Sequence, residues 1–423
     1  MRRNSVRAVR LLGVTLAAAA LVVPSLASAS NAKKTGKVNY DAFYTQTNDP
    51  AGNTVVAFSR APNGLITQTK IVATGGKGAA STPPFGFPTA DGSGSVDLTP
   101  DGKLLFVVNA GDGSVSSFRI TSTGPKLVDR VSSHGKLPIS LTSSGNVLYV
   151  VNETSANIFG WHFSSTGKLT PIAGSNRKLT AVTPKGKKAA IGVVAGIGFV
   201  RNGHVIAVTQ RGLPRKYGVI DTFLINANGA AGPSLATATP NIDNVFGFSS
   251  FGNNLLVTNA GYVASPSGAA PNPADFTQFT GSAATYAVSA SGKIKLVKNT
   301  LTGGRAACWL VVQKNGRTAY VTNTLSAYPP SSGPTTGVNA VSTLSVAGNG
   351  KMTLKKQAST GPGFPSDEAL SADGKYLYVV DASVILPIGS HIDVYRLGPG
   401  GSITQIQSTP DTLPPGVSGA GAF

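Results

Sequence analysis

Few side chains in this sequence of 423 residues could do chemistry, since it holds four histidines, one cysteine and 17 acids. Asp367 and Glu368 are neighbours, and paired carboxylates can hold a cation or keep a proton because two like charges at contact resist double ionisation. A histidine such as His134 suits a general base, because imidazole titrates near neutrality. Cys308 has no histidine in its own segment and reads as a small buried hydrophobe rather than a nucleophile. A lone cysteine also excludes a disulfide framework and a cysteine-based zinc site. There is no phosphate-binding loop, dinucleotide fingerprint, zinc triad or Gly-x-Ser-x-Gly elbow, so neither a cofactor nor a metal is expected.

Charge is the next signal. Lys and Arg number 36, for a net charge of +19. No acid lies between Glu153 and Asp221, whereas Arg177, Lys178, Lys185, Lys187, Lys188, Arg211, Arg215 and Lys216 all fall there. Such a run attracts phosphates, carboxylates or an anionic cell-surface polymer, and it equally serves as a solvated surface. Nucleic acid is not an expected partner, because the run lacks interleaved aromatics for stacking.

The elements that must position these groups are strands. Seven segments share one cadence, a short apolar run ending in a polar residue, as in Leu105-Phe-Val-Val-Asn109, Leu148-Tyr-Val-Val-Asn152, Ala319-Tyr-Val-Thr-Asn323 and Leu377-Tyr-Val-Val-Asp381. They recur every 43 to 64 residues. Turns such as Pro100-Asp-Gly102 and Asn315-Gly316 precede most of them, and alternating runs such as His391-Ile-Asp-Val-Tyr-Arg396 follow, which is the pattern of antiparallel hairpins. No sustained 3.6-residue apolar period intervenes. The expectation is an all-β fold, a seven-bladed β-propeller of four-stranded blades. The first unit lacks an inner strand, so the tail Gly416-Val-Ser-Gly-Ala-Gly-Ala-Phe423 is expected to supply it and close the ring.

In this register Asp243, Arg305, Asp367 and Glu368 stand at the start of inner strands, and His134 lies in the link from blade two to blade three. Six longer connections (75–92, 174–189, 211–218, 262–280, 325–337 and 383–389) all fall on one face, which marks it as the functional face. Residues 1–29 carry four arginines, an apolar run from Leu11 to Val23 and Ala27-Ser28-Ala29, the pattern of a secretory signal peptide. The expected product is a secreted or cell-surface monomer, one domain over residues 30–423 with no membrane span.

The Asp-Gly-x-x-Tyr-Val-x-Asn cadence, with Gly303-Gly-Arg-Ala-Ala-Cys-Trp309 and Val245-Phe-Gly-Phe248 leading into inner strands, resembles the lactonase-type seven-bladed propellers, which include 6-phosphogluconolactonases and carboxymuconate-lactonising enzymes. Family enzymes carry a His, with Arg and Glu nearby, where inner strands begin. The corresponding segments here, Ala195-Gly-Ile197, Phe246-Gly-Phe248, Ala307-Cys-Trp309 and Pro365-Ser-Asp-Glu368, contain no His. Two readings follow. In the first, which the missing histidines favour, the loop-rich basic face binds an anionic small molecule or surface partner without catalysis, through the eight basic residues with Asp367 and Asp243. In the second, which the resemblance implies, the protein is a lactone hydrolase or lactonising enzyme, with Arg305 stabilising the oxyanion and Glu368 or His134 as base.

Overall fold

The polar-ended apolar runs become the second strands of seven antiparallel sheets. The computed structural model describes residues 39–79, 93–212, 217–261, 280–324, 339–361, 364–382 and 389–423. Residues 1–29, expected to be a signal peptide, lie outside them, as do Arg215, Lys216 and much of five of the six long loops.

Blade one holds β1 (Asn39–Gln46), β2 (Thr54–Arg60) and β3 (Ile66–Ala73). Blade two runs β4 (Val96–Leu98), β5 (Leu104–Asn109), β6 (Ser114–Thr121) and β7 (Gly124–Ser132). Blade three follows with β8 (Pro138–Ser144), β9 (Val147–Asn152), β10 (Asn157–Phe163) and an outer strand split into β11 (Leu169–Pro171) and β12 (Arg177–Lys178). Blade four is β13 (Val193–Val200), β14 (Val205–Arg211), β15 (Tyr217–Leu224) and β16 (Leu235–Pro240). Blade five is β17 (Val245–Phe251), β18 (Asn254–Asn259), β19 (Ser282–Val288) and β20 (Ile294–Leu301). Blade six is β21 (Ala307–Val312), β22 (Thr318–Asn323), β23 (Asn339–Val346) and β24 (Met352–Gly361). Blade seven is β25 (Pro365–Leu370), β26 (Tyr376–Asp381), β27 (His391–Leu397) and β28 (Ile403–Ser408), and the chain ends in β29 (Ser418–Ala422).

β29 pairs antiparallel with β1, Phe43 opposite Ala422 and Gln46 opposite Ser418, so the tail is the inner strand of blade one as expected. Inner strands touch in the order β29, β4, β8, β13, β17, β21, β25 and back to β29, which closes the ring. Closure leaves no inner edge for another chain to extend.

Core residues lie between blades. Phe106, Trp161 and Phe163 join blades two and three, and Phe43, Phe58 and Tyr378 join blades one and seven. The alternation of each strand supplies one side chain to each neighbouring sheet. The polar residue ending the cadence serves the same joints. Asn109 donates to Ser116 Oγ (2.8 Å) and accepts from Thr74 Oγ1 (2.7 Å), and Asn323 does likewise with Ser342 (2.8 Å) and Thr302 (2.7 Å). Buried polar groups need such partners, which explains an amide at this position. Gly102 shows the turn requirement: its φ is +70°, and a Cβ there would come 2.7 Å from the Phe423 ring.

Candidate active site

All seven inner strands contribute to a central cavity of about 250 Å³. Its walls include Asp97 of β4, Thr142 of β8, Phe199 of β13, Ser249 of β17, Trp309 of β21, Asp367 and Glu368 of β25 and Ala420 of β29. At the start of β4 the chain crosses this channel. Ser93 N–H donates to Ala195 O (2.8 Å), Ser93 pairs in parallel with Gly196, and Ser140 Oγ donates to Ser93 O. Leu141 N–H donates to Gly94 O (2.9 Å), while Gly94 N–H reaches Asp367 Oδ2 at 3.4 Å. The Ser93-Gly94 dipeptide thus ties blades three, four and seven across the axis. Glycine fits that crossing, since its φ is +79°.

The polar chemistry of the cavity is mainly acidic. Glu368 is 4% exposed, and its carboxyl lies beside the Val311 backbone, which offers it only a weak hydrogen bond. Burial pushes this carboxyl well above the usual range, and the neighbouring Asp367 charge pushes it further. Asp367 accepts the Glu368 backbone N–H at 2.8 Å through Oδ1. Burial also raises Asp97 to about 6, against hydrogen bonds from Ser143, and its Oδ2 is unpartnered. Trp309 also lines the cavity, and its indole, packed on the Phe246 ring, is buried with no acceptor for its N–H. The cavity therefore brings three buried or half-buried carboxyl groups to one small molecule, and buried polar groups that are poorly satisfied call for an explanation.

Asp97 also sets a pH dependence, together with the buried Asp221 of β15, which lies outside the cavity. Asp97 and Asp221 are both raised by burial to about 6, so the folded state holds more protons than the unfolded chain between about pH 4 and 6. Their contribution is complete below the unfolded pKa and is lost as pH rises through 6, by roughly 3 kcal/mol each. Thermal melts are expected to be several degrees higher at pH 5 than at pH 7.5, and Asp97→Asn is expected to flatten the slope. A melting temperature that rises over this interval contradicts the assignment.

The other predicted residues are spread over the ring. His134 is exposed in the link after β7 and stacks on Phe159 with ring centroids 3.8 Å apart. Arg305 is half-buried just ahead of β21 and is not part of the cavity wall, and Asp243 is half-buried ahead of β17, where its carbonyl accepts the Gly212 N–H. Arg177 and Lys178, read from sequence as loop, form β12 beside β10. Their donors go to backbone carbonyls: Arg177 Nε to Gly232 O (3.2 Å) and Lys178 Nζ to Ser155 O (2.8 Å). Lys185, Lys187 and Lys188 are exposed on one turn closed by the Val182–Lys188 bridge. Arg211 instead lays its guanidinium 4.7 Å over the Phe246 ring. Cys308 packs in an apolar cluster with Phe246, Trp309 and Phe364.

Of all the predicted residues, the structure brings Asp367 and Glu368 together in the cavity, with Asp97, which the sequence reading passed over. Asp97 stands two residues before an ordinary turn, and only the crossing at Ser93-Gly94 shows that its strand faces the axis. His391, placed from sequence in a third strand, is the first residue of β27 and so stands at the end of that strand nearest the loop-rich face.

Residues 48–185 match the family model described as lactonase, 7-bladed beta-propeller. A putative 6-phosphogluconolactonase from Bacteroides fragilis superposes with a TM-score of 0.63 at 15% identity, covering 90% of this chain and 97% of that one. The periplasmic gluconolactonase of Pseudomonas aeruginosa gives 0.59 at 16% identity, covering 90% and 98%. No curated protein matches in sequence. The resemblance read from the strand cadence therefore holds, and the fold is a seven-bladed propeller similar to those of these structures.

Proposed function

We propose that the protein hydrolyses a small, neutral, hydroxyl-rich lactone in the central cavity. The observation that carries this reading is the pair of adjacent buried carboxyls that line the cavity, Glu368 and Asp367, with Asp97 on the same lining. Ionised Glu368 takes a proton from water as the water oxygen attacks the lactone carbonyl. The indole N–H donates to the oxyanion that forms, and the ring oxygen leaves with the proton that Glu368 returns. A carboxyl raised by burial and a charged neighbour is a stronger base, once ionised, than a free carboxylate. Sugar hydroxyls supply the donors that Asp97 and Asp367 accept.

The same carboxylates disfavour an anionic substrate. A phosphate group set among Asp97, Asp367 and Glu368 would meet like charge wherever these carboxyls are ionised. The substrate is therefore an unphosphorylated lactone, as befits a protein with the leader expected over residues 1–29. That description agrees with the name of the Pseudomonas aeruginosa relative rather than the Bacteroides fragilis one. A cavity of about 250 Å³ admits a monosaccharide-sized ligand and not a polymer.

The test is acid release in a pH-stat at pH 6.5 from glucono-, galactono- and 6-phosphogluconolactone and an aromatic lactone. Hydrolysis of the neutral sugar lactones at least a hundredfold above buffer is expected, with the phosphorylated compound far slower. Rates no faster than buffer across the panel would sink the proposal, and preference for the phosphorylated lactone would move the site away from this cavity.

A further inference from the structure

Blade seven departs from its sister blades at one buried position. Where β5 and β22 end in Asn109 and Asn323, each amide donates to a hydroxyl on the next strand, Ser116 and Ser342. In blade four Gln210 takes this role and donates to Asp221. The acceptor in all three stands two residues beyond the register partner of the amide. In blade seven the equivalent pair is Asp381, opposite His391, and Asp393. A carboxylate replaces the amide, so two carboxylates meet with no N–H to set between them.

Both are almost completely removed from water, Asp381 1% and Asp393 0% exposed. Asp393 is held by Tyr395 (3.2 Å) and Gln405 (2.9 Å), and Asp381 Oδ1 accepts the Phe364 N–H (2.5 Å). Asp381 Oδ2 is buried and has no partner. His391 brings Nε2 to 3.6 Å from Asp393 Oδ1, and its Nδ1 lies 2.9 Å from Asp411. One ligand atom each from Asp381, His391 and Asp393 falls within 4.8 Å of the others.

We propose that Asp381, His391 and Asp393 bind a divalent first-row metal ion such as zinc, with Asp411 as the residue that positions the imidazole. Two carboxylates and an imidazole are a hard, mixed oxygen and nitrogen donor set that suits zinc or manganese. His391 Nε2 and Asp393 Oδ1, 3.6 Å apart, stand close to the roughly 3.4 Å that tetrahedral bonds of about 2.1 Å place between neighbouring donors. A metal-bound histidine commonly gives its other ring N–H to a carboxylate, and Asp411, 2.9 Å from Nδ1 though not aligned for a hydrogen bond, is near enough to take that part. The ion neutralises the opposed carboxylates, and three protein ligands leave a fourth position open to water or another ligand. The site was not expected from the motifs, because its ligands come from two strands at a spacing that no zinc signature carries. It is separate from the channel carboxylates and does not depend on their role.

The full-length protein, stripped with EDTA and dialysed, is titrated with Zn²⁺ and with Mn²⁺ by calorimetry and followed by thermal melts. One ion per chain and a higher melting temperature are expected. Asp381→Asn installs the amide used by the sister blades, so it is expected to fold and to lose at least a hundredfold in affinity, while Asp411→Asn is expected to lose about tenfold. No uptake by the parent protein overturns the site, and so does unchanged uptake by Asp381→Asn. If the parent takes up no metal and Asp381→Asn melts higher, a proton rather than a metal joins the carboxyls, and the proposal also fails.

Discussion

Removal of residues 415–423 is expected to leave the protein aggregated, or to lower its melting temperature by about 10 °C or more. These residues are the inner strand of blade one, and their contacts reach three blades. Thr45 Oγ1 donates to Ser418 O (3.0 Å), Val417 is fully buried in the cluster that joins blades one and seven, and Phe423 covers the Gly102 turn of blade two. Without them β1 becomes an exposed edge on the channel, and its amides and carbonyls are free to pair with another chain. Size-exclusion chromatography with differential scanning fluorimetry provides the measurement. Phe423→Ala serves as the control and is expected to cost only a degree or two, since it removes one side chain and no backbone pairing. A truncated chain that stays monomeric and melts with its parent refutes closure by the tail.

Closure was legible in the sequence because it is a matter of counting strands. Seven second strands and only six turns ahead of them require one inner strand from elsewhere, and the tail is the remaining alternating run. The cadence itself was legible because turns and β-branched runs are local properties. What the sequence concealed depends on pairing across strands. Arg177 and Lys178 looked like loop because Ala173-Gly174 interrupts the outer strand of blade three, yet both parts pair with β10. Asp381 read as a variant of Asn, and its consequence emerges only when Asp393 is found beside it. Asp97 belongs to a strand of three residues, too short to show which side faces the channel.

Glu368→Gln is expected to lower kcat/KM for a neutral sugar lactone by at least a hundredfold while the fold stays intact. The substitution keeps the shape of the side chain and removes its ability to accept a proton. Its effect on stability separates catalysis from structure. A carboxyl at 4% exposure with only a weak hydrogen bond from the Val311 backbone is costly to bury, so the amide is expected to leave the melting temperature unchanged or raise it. A structural carboxyl would behave in the opposite way, with stability and activity falling together. Asp367→Asn supplies the second readout. The Asp367 charge helps to raise Glu368, so its removal is expected to move the acid limb of the kcat/KM profile to lower pH. Activity in Glu368→Gln above a third of the parent value, with the limb in place, would show that another group takes the proton. The combination expected here, lost turnover in a protein no less stable, is that of a residue held in an unfavourable state for its chemistry.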